Sequence, residues 1–277
     1  MRTVIAISLL LASSSVIADN CQFNAPRNLD IDASGLRLLA MEFGSDDMDL
    51  EGVDGLERIE IRGRACGSSQ EALDSLSLQQ ARDGEGVFVK VDKGDRTVNW
   101  NGWFGSNYAY IDLEVRVPKR LQVSVKRGSG DVSIERVAGV DSTAGSGDLI
   151  ASDISGPVVV KSGSGDARLH DVGPLNIRAL GSGDIEADGV RGDVQVGNGG
   201  SGDLDFSGLA GNVNVDRVGS GDVTARDVSG NVHVGSIGSG DVRANDIGGD
   251  LIVESQGSGD TTHSGVKGRV DIPKHDD

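Results

Sequence analysis

The stretch Gly219-Ser220-Gly221-Asp222-Val223-Thr224-Ala225-Arg226-Asp227-Val228-Ser229-Gly230-Asn231-Val232-His233-Val234-Gly235-Ser236-Ile237 is one turn of a repeat, and its reading decides the fold. Its opening Gly-Ser-Gly-Asp recurs at Gly128, Gly145, Gly163, Gly181, Gly200, Gly219, Gly238 and Gly257, so successive units are 17, 18, 18, 19, 19, 19 and 19 residues long. A fixed period of this length is the mark of a solenoid. One residue after the aspartate stand Val132, Leu149, Ala167, Ile185, Leu204, Val223, Val242 and Thr261. Two further on stand Ile134, Ala151, Leu169, Ala187, Phe206, Ala225, Ala244 and His263. Alternation of period two is a strand with one buried face. A third aliphatic column, Val137, Ile154, Val172, Val190, Leu209, Val228, Ile247 and Val266, is followed closely by a glycine, which is expected to mark a corner. A second strand follows, as in Val194/Val196, Val213/Val215, Val232/Val234, Leu251/Val253 and Val270/Ile272.

No such unit can fold alone. About six inward aliphatic side chains at roughly 2 kcal/mol each stand against an ordering cost of roughly 1 to 2 kcal/mol for every residue. Stacking supplies the difference, because each strand pairs in parallel with its equivalent in the next unit and the aliphatic columns fuse into one core. The expected fold class is therefore all-β, a single-stranded parallel β-solenoid (β-helix) of about 18–19 residues per rung, on the order of 40 Å long at a strand spacing of about 4.8 Å. The last unit carries Thr261 and His263 at columns that are apolar elsewhere and ends in Pro273-Lys274-His275-Asp276-Asp277. This polar rung is expected to blunt an edge that would otherwise recruit another chain, so His263 is read as an end cap and not as a ligand.

Upstream the pattern degenerates. Gly44-Ser45-Asp46-Asp47 precedes Met48, Leu50 and Val53, with Gly55 at the corner and Ile59 and Ile61 in strand register, which predicts a hidden rung over 44–61. A further two-strand unit, Ile111/Leu113/Val115/Val117 and Leu121/Val123/Val125 joined at Pro118, leads into the first Gly-Ser-Gly-Asp. Residues 62–107 then read as an insertion between early rungs. Within it Ser68-Ser69-Gln70-Glu71 starts a short helix, and Asp83-Gly84 before Val87/Val89/Val91 predicts a hairpin. The chain divides into a signal peptide (1–18), an N-terminal capping region with early rungs and the insertion (19–127), and the regular solenoid (128–277).

The signal peptide is read from Met1-Arg2, the apolar stretch Val4 to Ala12 and the small-residue site Val16-Ile17-Ala18 before Asp19. Export to the periplasm, the medium or the cell surface is expected. Ala18-Asp19-Asn20 before Cys21 does not suit lipoprotein processing, and no segment reaches the roughly 20 apolar residues of a membrane span. The two cysteines, Cys21 and Cys66, both fall in the exported part and are expected to form one disulfide. The alternatives are two separate buried thiols or a reactive thiol, and no catalytic motif surrounds either residue.

Net charge is −17, which disfavours a nucleic-acid partner, since phosphate binding rests on clustered Lys and Arg. The one basic concentration, Arg116, Lys119, Arg120, Lys126 and Arg127, sits in an alternating strand pattern and reads as a solvated strand face. No Gly-x-Ser-x-Gly, Gly-x-x-x-x-Gly-Lys or His-Glu-x-x-His motif occurs, and His170, His233, His263 and His275 show no metal-ligand spacing. Arg191-Gly192-Asp193 spells an integrin-recognised tripeptide, but Asp193 holds the turn position filled by Asn212, Asn231 and Asp250 elsewhere.

The signal peptide, the degenerate first rung, the inserted helix and hairpin, Val117-Pro118-Lys119 and then Gly-Ser-Gly-Asp-Val together resemble the bacterial putative-adhesin family of β-strand repeat proteins, over about residues 28–272. The resemblance implies a parallel β-solenoid in the cell envelope and brings no catalytic residues.

The expected function is that of an exported non-enzymatic, adhesin-like binding or scaffold protein whose partner is an envelope protein or glycan. One alternative is a carbohydrate-active β-helix lyase or hydrolase, which needs two carboxyls in contrasting environments; similarly solvated aspartates at every rung offer no such contrast. Another is a calcium-stabilised solenoid built on the aspartate column Asp131, Asp148, Asp166, Asp184, Asp203, Asp222, Asp241 and Asp260. Only Gly199-Gly200-Ser201-Gly202-Asp203 comes near the calcium-binding nonapeptide form, so the column is expected to cap turns first. No other cofactor is expected. Binding candidates are Trp100, Trp103, Phe104, Tyr108 and Tyr110, five of the nine aromatics, lying outside the regular repeat. Capping the N-terminal end of the solenoid is the competing role for these rings.

Overall fold

The structure is a computed structural model that describes residues 21–94 and 108–273. The signal-peptide reading and Trp100, Trp103 and Phe104 lie outside the described residues. Among the described residues two twelve-stranded sheets face each other across one core, and each regular unit gives one strand to each sheet. From Val132 onward all pairing is parallel, with unit stacked on unit: Leu149 lies between Val132 and Ala167, and Phe206 between Ala187 and Ala225. The predicted columns point inward together. Val132 through Val242, Ile134 through Ala244 and Val137 through Ile247 are at most 2% exposed. The exceptions are in the last rung, where Thr261 and Val266 are half-buried and His263 is exposed.

One feature of the repeat differs from the sequence reading, and another goes beyond it. The left-handed corner residue is not the glycine after the third column but the residue before that column. Arg136, Asp153, Asp171, Gly189, Gly208, Asp227, Asp246 and Gly265 all have φ between +51° and +72°. Aspartate tolerates this region better than most side chains, which hides the corner from a search for glycine. The second glycine of Gly-Ser-Gly-Asp is required by close approach. A Cβ on Gly202 would lie 1.7 Å from the carbonyl oxygen of Gly183, and one on Gly221 would lie 1.9 Å from that of Gly202.

The N-terminal region departs further from chain order. Its elements are β1 (Phe23–Asp32), β2 (Leu38–Phe43), β3 (Met48–Val53), β4 (Arg58–Gly67), α1 (Gln70–Asp74), β5 (Ser77–Asp83), β6 (Gly86–Asp92), β7 (Ala109–Pro118), β8 (Gln122–Arg127) and β9 (Val132–Glu135). One sheet begins β1-β4-β7-β3-β9 and the other β5-β6-β2-β8. Met48 and Leu50 are buried and Val53 is half-buried, so the hidden rung exists, formed by β2 and β3. It is not stacked before the next unit in sequence: β2 lies between β6 and β8, and β3 between β7 and β9. Ile59 and Ile61 are not its second strand. They belong to β4, which runs antiparallel to both β1 and β7. Nor is 62–107 purely an insertion, because β6 is a parallel solenoid strand with Val87, Val89 and Val91 in the core. The short helix is present, with the Ser69 hydroxyl capping the Ala72 N–H, and so is the hairpin, in which β5 pairs antiparallel with β6 across Gly84.

Candidate functional site

The aspartate column is a hydrogen-bonded ladder. The Asp131 backbone N–H donates to Asp47 Oδ1 at 2.8 Å, Asp148 to Asp131 at 2.9 Å, and the pattern repeats through Asp166, Asp184, Asp203, Asp222, Asp241 and Asp260, each bond 2.8 or 2.9 Å. Each carboxylate from Asp47 to Asp241 therefore serves as acceptor for the turn above it, where the strand ladder has not yet begun. The column includes Asp47, which the degenerate Gly44-Ser45-Asp46-Asp47 motif disguised. A second ladder at another corner runs through Asp193, Asn212, Asn231 and Asp250 to the Arg269 N–H at 2.7 to 2.9 Å. Asp193 of the Arg-Gly-Asp tripeptide is its first acceptor, and Arg191 donates to the Ile154 carbonyl at 2.8 Å. The tripeptide is thus part of the frame.

Arginines lie along the first ladder. Arg243 bridges Asp222 and Asp241 at 2.6 Å each. The backbone bond from Asp241, then the Arg243 guanidinium, hold the Asp222 carboxyl below the usual range. The other carboxyls that shift also shift downward: Asp32, through hydrogen bonds from Ser34, and Glu60, through Arg58. Among the described residues no three His, Cys, Asp or Glu side chains group as they would around a metal ion.

The basic stretch divides. Arg116 pairs with Glu60 at 3.3 Å, Lys119 with Asp54 at 3.6 Å and Lys126 with Glu42 at 3.4 Å, all on outer surfaces, and Arg120 donates to the Ala33 carbonyl. Arg127, expected on a solvated face, is instead 5% exposed. It occupies an inward column with Phe43 below and Ala144 above, and it donates to the carbonyls of Gly130 and Gly147 and to Ser142 Oγ. Burial pushes its pKa down to about 10, against the opposing pull of Asp131 and Asp148. Strand alternation puts Arg127 on the inner face, and the small neighbours Ser142 and Ala144 leave room for the guanidinium.

Of the aromatic candidates, Tyr108 and Tyr110 are described. Both are half-buried, with ring centroids 6.1 Å apart. Tyr108 Oη accepts from the Gln22 N–H, and Tyr110 stands opposite Cys66 in the β4–β7 register. They therefore lie beside the Cys21–Cys66 disulfide, which joins the start of β1 to the end of β4. No helix among the described residues is long and apolar enough to cross a membrane.

Two solved structures align over most of the chain. A putative lipid binding protein from Parabacteroides distasonis aligns at a TM-score of 0.50 and 13% identity, over 89% of this chain and 96% of its own. A putative adhesin from Bacteroides fragilis aligns at 0.45 and 15%, over 91% and 98%. At this identity the likeness is one of fold. A search of curated proteins finds no match. The family model described as Toastrack DUF4097 matches residues 57–266, which span the chain from the antiparallel cap strand β4 through β8 and nearly the whole regular stack but not β1, β2 or β3, and the chain belongs to that family.

Proposed function

We propose that this chain is an exported, non-enzymatic binding or scaffold module of the bacterial cell envelope, adhesin-like in its use of a rigid rod to carry recognition surfaces. The observation that carries the reading is the ladder. The residue type that recurs at every turn is committed to holding rung on rung, in nearly equivalent environments from Asp131 to Asp241. Carboxyls that catalyse glycoside cleavage are driven apart in pKa, with one raised, whereas Asp32, Glu60 and Asp222 all move downward. The Cys21–Cys66 bond suits an oxidising compartment, as does the signal peptide read at 1–18. Recognition is assigned to the aromatic residues, with Trp100 and Trp103 as anchors and Phe104, Tyr108 and Tyr110 following them in sequence.

The test uses the purified protein against envelope extracts, with protein, glycan and lipid fractions scored separately. Binding without release of reducing ends from envelope polysaccharide is expected, and replacing Trp100 and Trp103 by alanine should abolish it without lowering the melting temperature. Turnover of a polysaccharide would overturn the reading. Lost stability with unchanged binding would return the aromatics to a capping role.

A further inference from the structure

Cys21 and Cys66 close a covalent ring of the chain that contains β1, β2, β3 and β4 up to the cysteine. Two limbs of this ring, β3 and β4, lie on opposite sides of β7 in one sheet, and β7 itself is not part of the ring. The grip extends the length of the strand. At its start the wholly buried Asp46 of the ring accepts from the Ile111 N–H at 2.8 Å and pairs with Lys93 at 3.0 Å, while Lys93 donates to the Ala109 carbonyl at 3.2 Å. At its far end the Lys119 N–H donates to the Val53 carbonyl at 3.2 Å, and Lys119 Nζ pairs with Asp54 at 3.6 Å, where the chain turns from β3 to β4. Between these ends β4 is in register with β7 from Ala109 to Arg116, and β3 from Leu113 to Pro118.

We propose that the disulfide-closed ring is a redox-sensitive clasp on β7, opened when a thiol or phosphine reductant supplies two electrons and leaves Cys21 and Cys66 as thiols, so that the bond fixes the N-terminal end of the solenoid while the regular rungs hold without it. The reason is positional. Cys66 stands opposite Tyr110 of β7 and next to the outermost strand, β1, which among the described residues pairs with β4 on one side and with no strand on the other. With the bond closed, β1 and β4 cannot separate at that end, and the β4 limb stays against β7. With the bond opened, β1 and β4 are held by strand pairing, the Arg62–Asp30 pair and the bonds from Arg27 to the Leu73 and Leu76 carbonyls, all of which can break one at a time, and the β4 side of β7 becomes free to open. The rungs above Val132 meet this arrangement through β3 and β9 in one sheet, β2 and β8 in the other, and corner contacts such as Asp131–Asp47 and Arg136–Glu51, none of which involves β1, β4 or β7, and their own neighbours are unchanged. The clasp goes beyond the binding role, because it concerns how the chain is secured and not what it recognises.

The decisive measurement is hydrogen exchange by mass spectrometry on the folded protein before and after reduction, with thiol labelling used to count opened bonds, and on the Cys21→Ser, Cys66→Ser double variant. Reduction is expected to lower amide protection at least ten-fold across 58–67 and 109–118 and to leave 204–253 within two-fold of its starting value. Protection in 109–118 that survives complete reduction would overturn the clasp. A uniform fall across the whole chain would overturn it as well, because that is what a cross-link acting only on the unfolded state produces. If the double variant fails to fold, the protein that folded oxidised and was then reduced gives the answer alone.

Discussion

The regular rungs and the N-terminal cap use the same alternating strands but are held together by different means. From Gly128 on, each unit repeats its neighbour's contacts: one acceptor carboxylate, one left-handed corner, and one glycine over which the next backbone closes. In the cap these contacts end at the β2/β3 rung, where Asp47 accepts from the Asp131 N–H. The rung β2/β3 is laid between two units that follow it in sequence, antiparallel strands cover the end, and a disulfide and ion pairs such as Arg58–Glu60–Arg116 replace the ladder. A repeat can stabilise itself by local rules because its interfaces are nearest-neighbour only. An end has no neighbour to supply half of its contacts and must be closed by specific ones.

The largest expected effect tests the close-packed turn. Gly202→Ala would place a methyl against the Gly183 carbonyl and should cost more than about 3 kcal/mol by urea denaturation. In the cap, a methyl added at Gly55 would meet nothing within 4 Å, and only the φ of +72° there opposes a side chain. Gly55→Ala should therefore cost about 1 to 2 kcal/mol. Equal costs would mean that backbone approach does not set the repeat.

Next in size is Arg127, at the junction of the two regions. Arg127→Ala removes the donors to Gly130, Gly147 and Ser142 and leaves a void, at about 2 to 4 kcal/mol. Arg127→Leu should cost less, about 1 to 2 kcal/mol, because it loses the same donors but keeps the packing, as Leu180, Val218 and Ile237 do in the same column higher in the stack. If leucine proves as costly as alanine, the hydrogen bonds matter more than the packing.

These contrasts also mark how far the sequence is legible. The period and the inward columns are readable because a strand's side-chain period is two wherever it lies and each column repeats eight times. Ile59 and Ile61 mislead for the same reason: an antiparallel strand alternates just as a parallel one does, and nothing in their spacing records direction. The place of β2/β3 between later units is unreadable from order alone, since sequence neighbours are expected to be spatial neighbours. Turn capping by the aspartates follows from residue type, but the reach of each carboxylate from one rung to the next is a property of the stack and has no signature within a single unit. The burial of Arg127 is hidden by a conflict, because its charge argues for the surface while its place in the alternation argues for the core.

A smaller effect separates the two ladders. Asp203→Ala removes the acceptor for the Asp222 N–H and should cost about 1 kcal/mol. Asp203→Asn keeps an acceptor, as Asn212 and Asn231 do in the second ladder, and should cost less than about 0.5 kcal/mol because it also relieves repulsion between stacked carboxylates. Thermal melting would show whether asparagine serves as well here.

The smallest predicted effect is the pH dependence, and it too divides the regions. Asp222 and Glu60 both have carboxyls held below their ordinary range, Asp222 mainly by the Asp241 N–H and then by Arg243, and Glu60 mainly by Arg58. A carboxyl whose pKa is lower folded than unfolded binds fewer protons in the native state. Its contribution is fully present above the unfolded value of about 4 and is lost as pH falls through the folded value. Melting temperature should therefore hold from about pH 7 to 5 and decline below about pH 4. Arg243→Gln should flatten that decline only in part, because the backbone bond from Asp241 remains. Arg58→Gln should remove more of the shift at Glu60, where the partners that lower it are arginines, and local exchange in 58–67 should lose its acid sensitivity. An equal response to the two substitutions would mean that the ladder's backbone bonds do not hold the solenoid carboxylates, and the distinction drawn between rung and cap would fail at this point.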